Sequence, residues 1–141
     1  MTKRFPHCKF ARFVICLILP LSGCATYNPD DADLMFNEII VYNRGLNDIN
    51  NVELHVEKFN RIFACSPVST KKLCSNTFSA RKYEGNAVTI SWTDTASTYD
   101  KGPLMVEMPD SYSSHINYTA IIEIDNDEVH SVYFRENASW I

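Results

Sequence analysis

Several groups of residues could do chemistry, and spacing decides between them. Ser113, Ser114 and His115 place hydroxyls beside an imidazole. A nucleophilic site needs those parts plus an orienting carboxylate, and no G-x-S-x-G elbow surrounds them. His55, His115 and His130 could gather around zinc or copper, but no two of them have a diagnostic ligand spacing. Asp125, Asn126, Asp127 and Glu128 offer oxygen ligands for calcium. A calcium loop of the EF-hand type would add a glycine after the alternating acids and a distal glutamate, so the four read as a hairpin turn. Glycine is confined to positions 23, 45, 85 and 102, which leaves no phosphate-cradling loop. Tyr99, Tyr112 and Trp140 fall in expected loops or near the carboxyl end. They are the candidate binding residues, because exposed aromatic rings stack on glycans or fill protein pockets. The expectation is a protein that is not an enzyme and holds no cofactor or metal, with a metal-dependent or serine hydrolase as the least favoured alternative.

The amino-terminal residues carry a different chemistry. Lys3, Arg4, Lys9 and Arg12 precede an apolar run from Phe13 to Leu21. A basic stretch followed by a short apolar core is the layout of a secretory signal. The run is about half of the ~20 residues a membrane-spanning helix requires, and Pro20 interrupts its last turn. It ends in Leu21-Ser22-Gly23-Cys24, which resembles the lipobox of bacterial lipoproteins. That resemblance implies a signal peptide over residues 1–23, a thioether-linked lipid on Cys24 and acylation of the new amino terminus. Two or more acyl chains anchor a protein stably where one does not. Ala25 stands where this family places an Asp to retain a protein in the inner membrane. The resemblance therefore points to the periplasmic face of the outer membrane.

Residues 24–141 would then form the mature chain, long enough for one domain. It keeps all 17 acids and nine of the 13 basic residues, a net charge of −8 (9 − 17). That surface disfavours nucleic acid and anionic lipid as partners of the protein itself. Residues 24–34, polar from Ala25 to about Asp33, read as a tether reaching at most ~30 Å at ~3.3 Å per residue. Cys8 and Cys16 leave with the leader and Cys24 takes the lipid, so Cys65 and Cys74 remain, with eight residues between them. An even pair in an exported domain reads as a disulfide, here one that pins a loop or a hairpin end.

Residues 35–141 must supply whatever positions these groups. Val52, Leu54 and Val56 alternate with Glu53, His55 and Glu57, and Val88, Ile90 and Trp92 alternate with Thr89, Ser91 and Thr93. Period two over such runs marks strands with one buried face. Further strands are expected over residues 36–42, at Ile62 and Phe63, from Thr77, at Leu104, Val106 and Met108, from Tyr118 to Ile124, and over 129–134. Residues 93–103 read as a polar loop. About seven strands at these intervals predict a single all-β domain, a β-sandwich that is immunoglobulin-like in the broad sense.

From Asn51 to Glu107 the chain resembles a group of small lipoproteins of Gram-negative bacteria. The resemblance rests on Asn51-Val52-Glu53-Leu54-His55-Val56-Glu57-Lys58, on the two cysteines, on the run from Tyr83 to Trp92, and on Gly102-Pro103. It carries no assigned activity and transfers no site residue. The expected function is a non-enzymatic binding or assembly module of the cell envelope. Its partners would be the membrane, through Cys24, and an envelope protein that meets its sheet edges or loops. The alternative is a cell-wall glycan binder or an inhibitor of a periplasmic enzyme.

Overall fold

A computed structural model describes residues 33–58 and 61–137. The leader, Cys24, most of the tether and Trp140 lie outside the described residues. The described residues form an all-β sandwich of eight strands. They are β1 (Met35–Asn43), β2 (Asn50–Val56), β3 (Arg61–Cys65), β4 (Leu73–Lys82), β5 (Val88–Thr93), β6 (Thr98–Leu104), β7 (Asn117–Asp125) and β8 (Glu128–Glu136). One sheet has the order β4-β1-β7-β8 and the other β3-β2-β5-β6. All pairs are antiparallel except β1 with β7.

The alternating runs face each other across the core. Val52 and Leu54 on β2, and Val88, Ile90 and Trp92 on β5, are buried against Val41, Ala120, Ile122, Ile124, Val132 and Phe134 of the opposite sheet. Side chains from two inner faces fill such a sandwich layer by layer. Leu34, expected as the end of the tether, is buried in this core, and its carbonyl accepts a hydrogen bond from Tyr83 N at 2.9 Å. The domain therefore begins before β1.

Two expectations along the chain are corrected. Residues 93–103 are not all loop, because they contain most of β6, which pairs with β5 from Thr98 to Leu104. As an edge strand it tolerates polar residues and a Gly-Pro step that an interior strand would not. Conversely, Leu104, Val106 and Met108 do not form a strand of their own. Leu104 closes β6, and Glu107 makes an isolated bridge to Tyr133.

Loops are tied down by buried polar groups. Asn43 is fully buried at the end of β1. Its Nδ2 donates to the carbonyls of Asn47 (2.8 Å) and Val68 (3.0 Å), and its Oδ1 accepts from Gly45 N (2.9 Å). A buried amide with its bonds satisfied fixes the turn it serves. The residues from Asp125 to Glu128 close the β7–β8 hairpin. Asn126 in that turn has a φ of 58°.

Candidate functional site: an apolar cavity between the sheets

A cavity of about 330 Å³ lies between the two sheets. Tight packing normally leaves few voids larger than a water molecule, and ligand pockets begin at roughly this volume. Its floor is formed by Leu54, Val88, Ala120 and Ile122 from the sheet centres. Its rim includes Phe63 from β3 with Asn76 and Phe78 from β4, the edge strands on one side of the sandwich. Phe36, Val56, Phe63, Phe78 and Tyr83 are only half-buried, so the cavity is not sealed.

An aromatic cluster builds one wall. Phe36 meets Phe78, Tyr83 and Phe134 edge-on, with ring centroids 5.4, 6.2 and 5.6 Å away, and Tyr83 meets Phe134 at 4.9 Å. T-shaped contacts of this kind satisfy the ring quadrupoles and fix ring orientation. Burial pushes the Tyr83 hydroxyl above its ordinary range, and a backbone hydrogen bond at Val106 works against that shift.

Two register irregularities turn the decisive residues inward. Phe36 pairs with Arg81 and Glu38 with Thr77, so Asn37 alone on β1 faces Phe78, Ser79 and Ala80 on β4. Against β7, β1 carries one extra residue at the same place. In an uninterrupted strand, residues three apart point to opposite faces. Here Phe36 and Ile39 both line the cavity, and so do Phe78 and Arg81. The bulges reset the alternation and re-aim the side chains beyond them.

Among the described residues, two buried side-chain polar atoms lack a hydrogen-bond partner, Arg81 Nε and Asn86 Oδ1, and both residues line this cavity. Asn86 is only 6% exposed. The Arg81 guanidinium lies 5.0 Å from the centroid of the Phe78 ring, a cation–π contact that holds the charge beside an apolar wall. Buried polar groups are nearly always paired, so an unpaired donor and acceptor on one cavity mark a place where a ligand's polar group fits.

Cys65 and Cys74 do not line the cavity but stand next to lining residues on their strands. The expected disulfide is not formed, and Cys65 and Cys74 are both free thiols. They touch nonetheless: burial, then the hydrogen bond and charge of Cys74, push the Cys65 thiol up to about 12. Nor does the pair pin a loop or hairpin end. Cys65 lies on β3 of one sheet and Cys74 on β4 of the other, because the chain changes sheets between them. Phe63 and Asn76, both cavity residues, are two positions away on the same strands and hence on the same faces.

The remaining candidates are placed elsewhere. Tyr99 is not in a loop but on β6. Its ring stacks on Trp92 with centroids 5.2 Å apart, and its hydroxyl donates to Asp94 Oδ2 at 3.1 Å. Tyr112 is half-buried and packs against the core. At Ser113 it is the backbone amide of His115, not the imidazole, that meets the hydroxyl oxygen (3.3 Å). His115 and His130 are exposed and His55 is half-buried on β2. No group of three or more potential metal ligands occurs among the described residues. Sequence reasoning missed Arg81 and Asn86, and a lone Arg between Ala80 and Lys82 gave no signal for the inward turn.

These features define a β-sandwich with an inter-sheet cavity. No protein-family model and no curated protein matches the chain. It is similar to a protein from Eubacterium rectale of known NMR structure, with 11% identity over 74% of this chain and 91% of that chain and a TM-score of 0.42.

Proposed function

We propose that this protein is a non-enzymatic binding module of the bacterial cell envelope, anchored through lipid on Cys24 at the periplasmic face of the outer membrane. The observation that carries the binding role is the inter-sheet cavity with the unpartnered Arg81 Nε and Asn86 Oδ1 on its lining. The anchor rests on the basic leader and on Leu21-Ser22-Gly23-Cys24. In that oxidising compartment Cys65 and Cys74 join as a disulfide, which ties the two sheets together beside the cavity. The full chain purified from envelopes should carry a small molecule that mass spectrometry of the extract identifies. Ala120→Leu, which adds bulk to the cavity floor, should carry less of it. Equal extracts from both chains would refute the reading. Loss of metabolic lipid labelling in Cys24→Ser tests the anchor separately.

A second reading is a protein partner that adds a strand to β4. This ten-residue edge strand has Leu73, Ser75, Asn76, Thr77, Ser79, Ala80 and Lys82 exposed. Open edges are templates for strand addition. Crosslinks from β4 positions to a single envelope protein would support it.

A further inference from the structure

Resting on the binding reading, we infer that the cavity takes the acyl chain of a single-chain fatty acid, with the carboxylate held by Arg81 and Asn86. Shape and charge set that ligand class. The walls are hydrocarbon and aromatic ring over most of their extent, with Asn76, Arg81, Asn86 and the Tyr83 hydroxyl as the polar exceptions. The volume is about twice the ~150 Å³ of an apolar cavity that takes up benzene, which scales to roughly a dozen carbon atoms. One such chain fits, and a two-chain lipid does not.

The polar end is equally specific. Arg81 has no salt-bridge partner among the described residues, and its Nε–H is buried without an acceptor. Neighbouring Lys82 is engaged with Asp33 at 2.6 Å, outside the cavity lining. A carboxylate accepts hydrogen bonds from a guanidinium in a charge-assisted pair. The Asn86 amide can present its oxygen or, rotated by 180°, its nitrogen, and the rotated form gives the carboxylate a second donor. A quaternary ammonium head would instead meet the Arg81 charge with repulsion, and an alcohol would leave that charge uncompensated.

The test uses the full chain in a bile-salt detergent, with displacement of a fluorescent fatty acid as the readout. Dodecanoate should displace the reporter at least tenfold more effectively than dodecanol, and dodecyltrimethylammonium should not compete. Arg81→Gln should remove the advantage of dodecanoate over dodecanol while the alcohol still binds. Ala120→Leu should weaken every arm, with circular dichroism and thermal unfolding confirming that the variant is folded. A second comparison identifies the source of the chain. If an ester- or amide-linked chain of the protein's own lipid fills the cavity, dodecanoate will bind Cys24→Ser and not the lipid-bearing chain. Such a chain has no free carboxylate for Arg81, so that outcome overturns the fatty-acid inference. If free fatty acid fills it, both will bind.

Equal binding of dodecanoate and dodecanol, or a preference that survives Arg81→Gln, overturns the fatty-acid inference while leaving the cavity as a binding site. No saturable displacement in either the lipid-bearing chain or Cys24→Ser, both folded, overturns the inference as well. A neutral ligand recovered from envelopes would then be the sign that the binding reading stands alone.

Discussion

Trp92 Nε1 donates a hydrogen bond across the sandwich to the backbone carbonyl of Asn126, 3.2 Å away. The indole is fully buried on β5, and the acceptor belongs to the β7–β8 turn of the other sheet. One side chain thus fills the core and fastens a loop. Trp92→Phe keeps an aromatic ring but strands the carbonyl and leaves a void. A loss of about 1–3 kcal/mol is expected from the unpaired acceptor, plus a packing loss. Urea unfolding should show a lower midpoint with an unchanged slope.

Gly102 and Gly85 should respond differently to alanine. Gly102 has a φ of 143°, and an added Cβ would lie 2.9 Å from Thr89 Cα, Thr89 Oγ1 and Val88 O. Backbone strain and collision act together there, so Gly102→Ala should cost more than ~3 kcal/mol. Gly85 has a φ of 70° with open space around it. Gly85→Ala should cost only the left-handed penalty of about 1–2 kcal/mol. Paired denaturation curves check the difference.

Glu123 gives a pH signature. Burial raises its pKa, but hydrogen bonds from Arg44, Tyr133 and Ser131 outweigh burial and hold the carboxyl below its ordinary value. Arg44 lies at 2.8 Å. A depressed folded pKa contributes stability above the unfolded value and loses it as pH falls through the folded one. The Arg44 side chain is 38% exposed, so solvent screening limits the contribution to about 1 kcal/mol. Glu123→Gln should therefore be less stable than the native chain at pH 7, and the gap should close below about pH 4, near the free carboxyl value.

The cysteine pair predicts two linked behaviours. Oxidation in air should add about 2.5 kcal/mol by closing the short loop, read as a rise in the urea midpoint that reductant reverses. In the reduced protein, the Cys65 thiol at about 12 favours the neutral form. A raised folded pKa contributes stability below the unfolded value, which is lost as pH rises towards the folded one. The reduced chain should lose more stability between pH 9 and 11 than Cys65→Ser does. Thiol alkylation at pH 8 should be slower at Cys65 in the folded chain than in urea, because the thiolate is the nucleophile.

The strands read directly from sequence are those with one dry and one wet face. Val88, Ile90 and Trp92 could be assigned from alternation alone, and all three are buried. β6 was not legible, because Thr98 to Pro103 has no apolar alternation and its order comes from pairing with β5. The cavity was hidden for a related reason. Arg81 points inward only because Asn37 faces three residues of β4, a mismatch fixed by partners far apart in sequence. Alternation carried across residues 78–81 puts Phe78 and Arg81 on opposite faces. The sheet change between Cys65 and Cys74 was likewise concealed, because a short separation suggests a local hairpin and the chain instead crosses the sandwich.

The position of β1 has a mechanical meaning. It is the first strand of the chain, yet it sits inside its sheet, bonded to β4 on one side and to β7 on the other. A force transmitted along a membrane tether would enter the domain at Asp33 and Leu34, directly ahead of that strand. Extracting it means breaking hydrogen-bond ladders on both flanks, where an edge strand would peel from one. If Cys24 is the anchor, any load on the tether arrives at the strand that is held on both flanks.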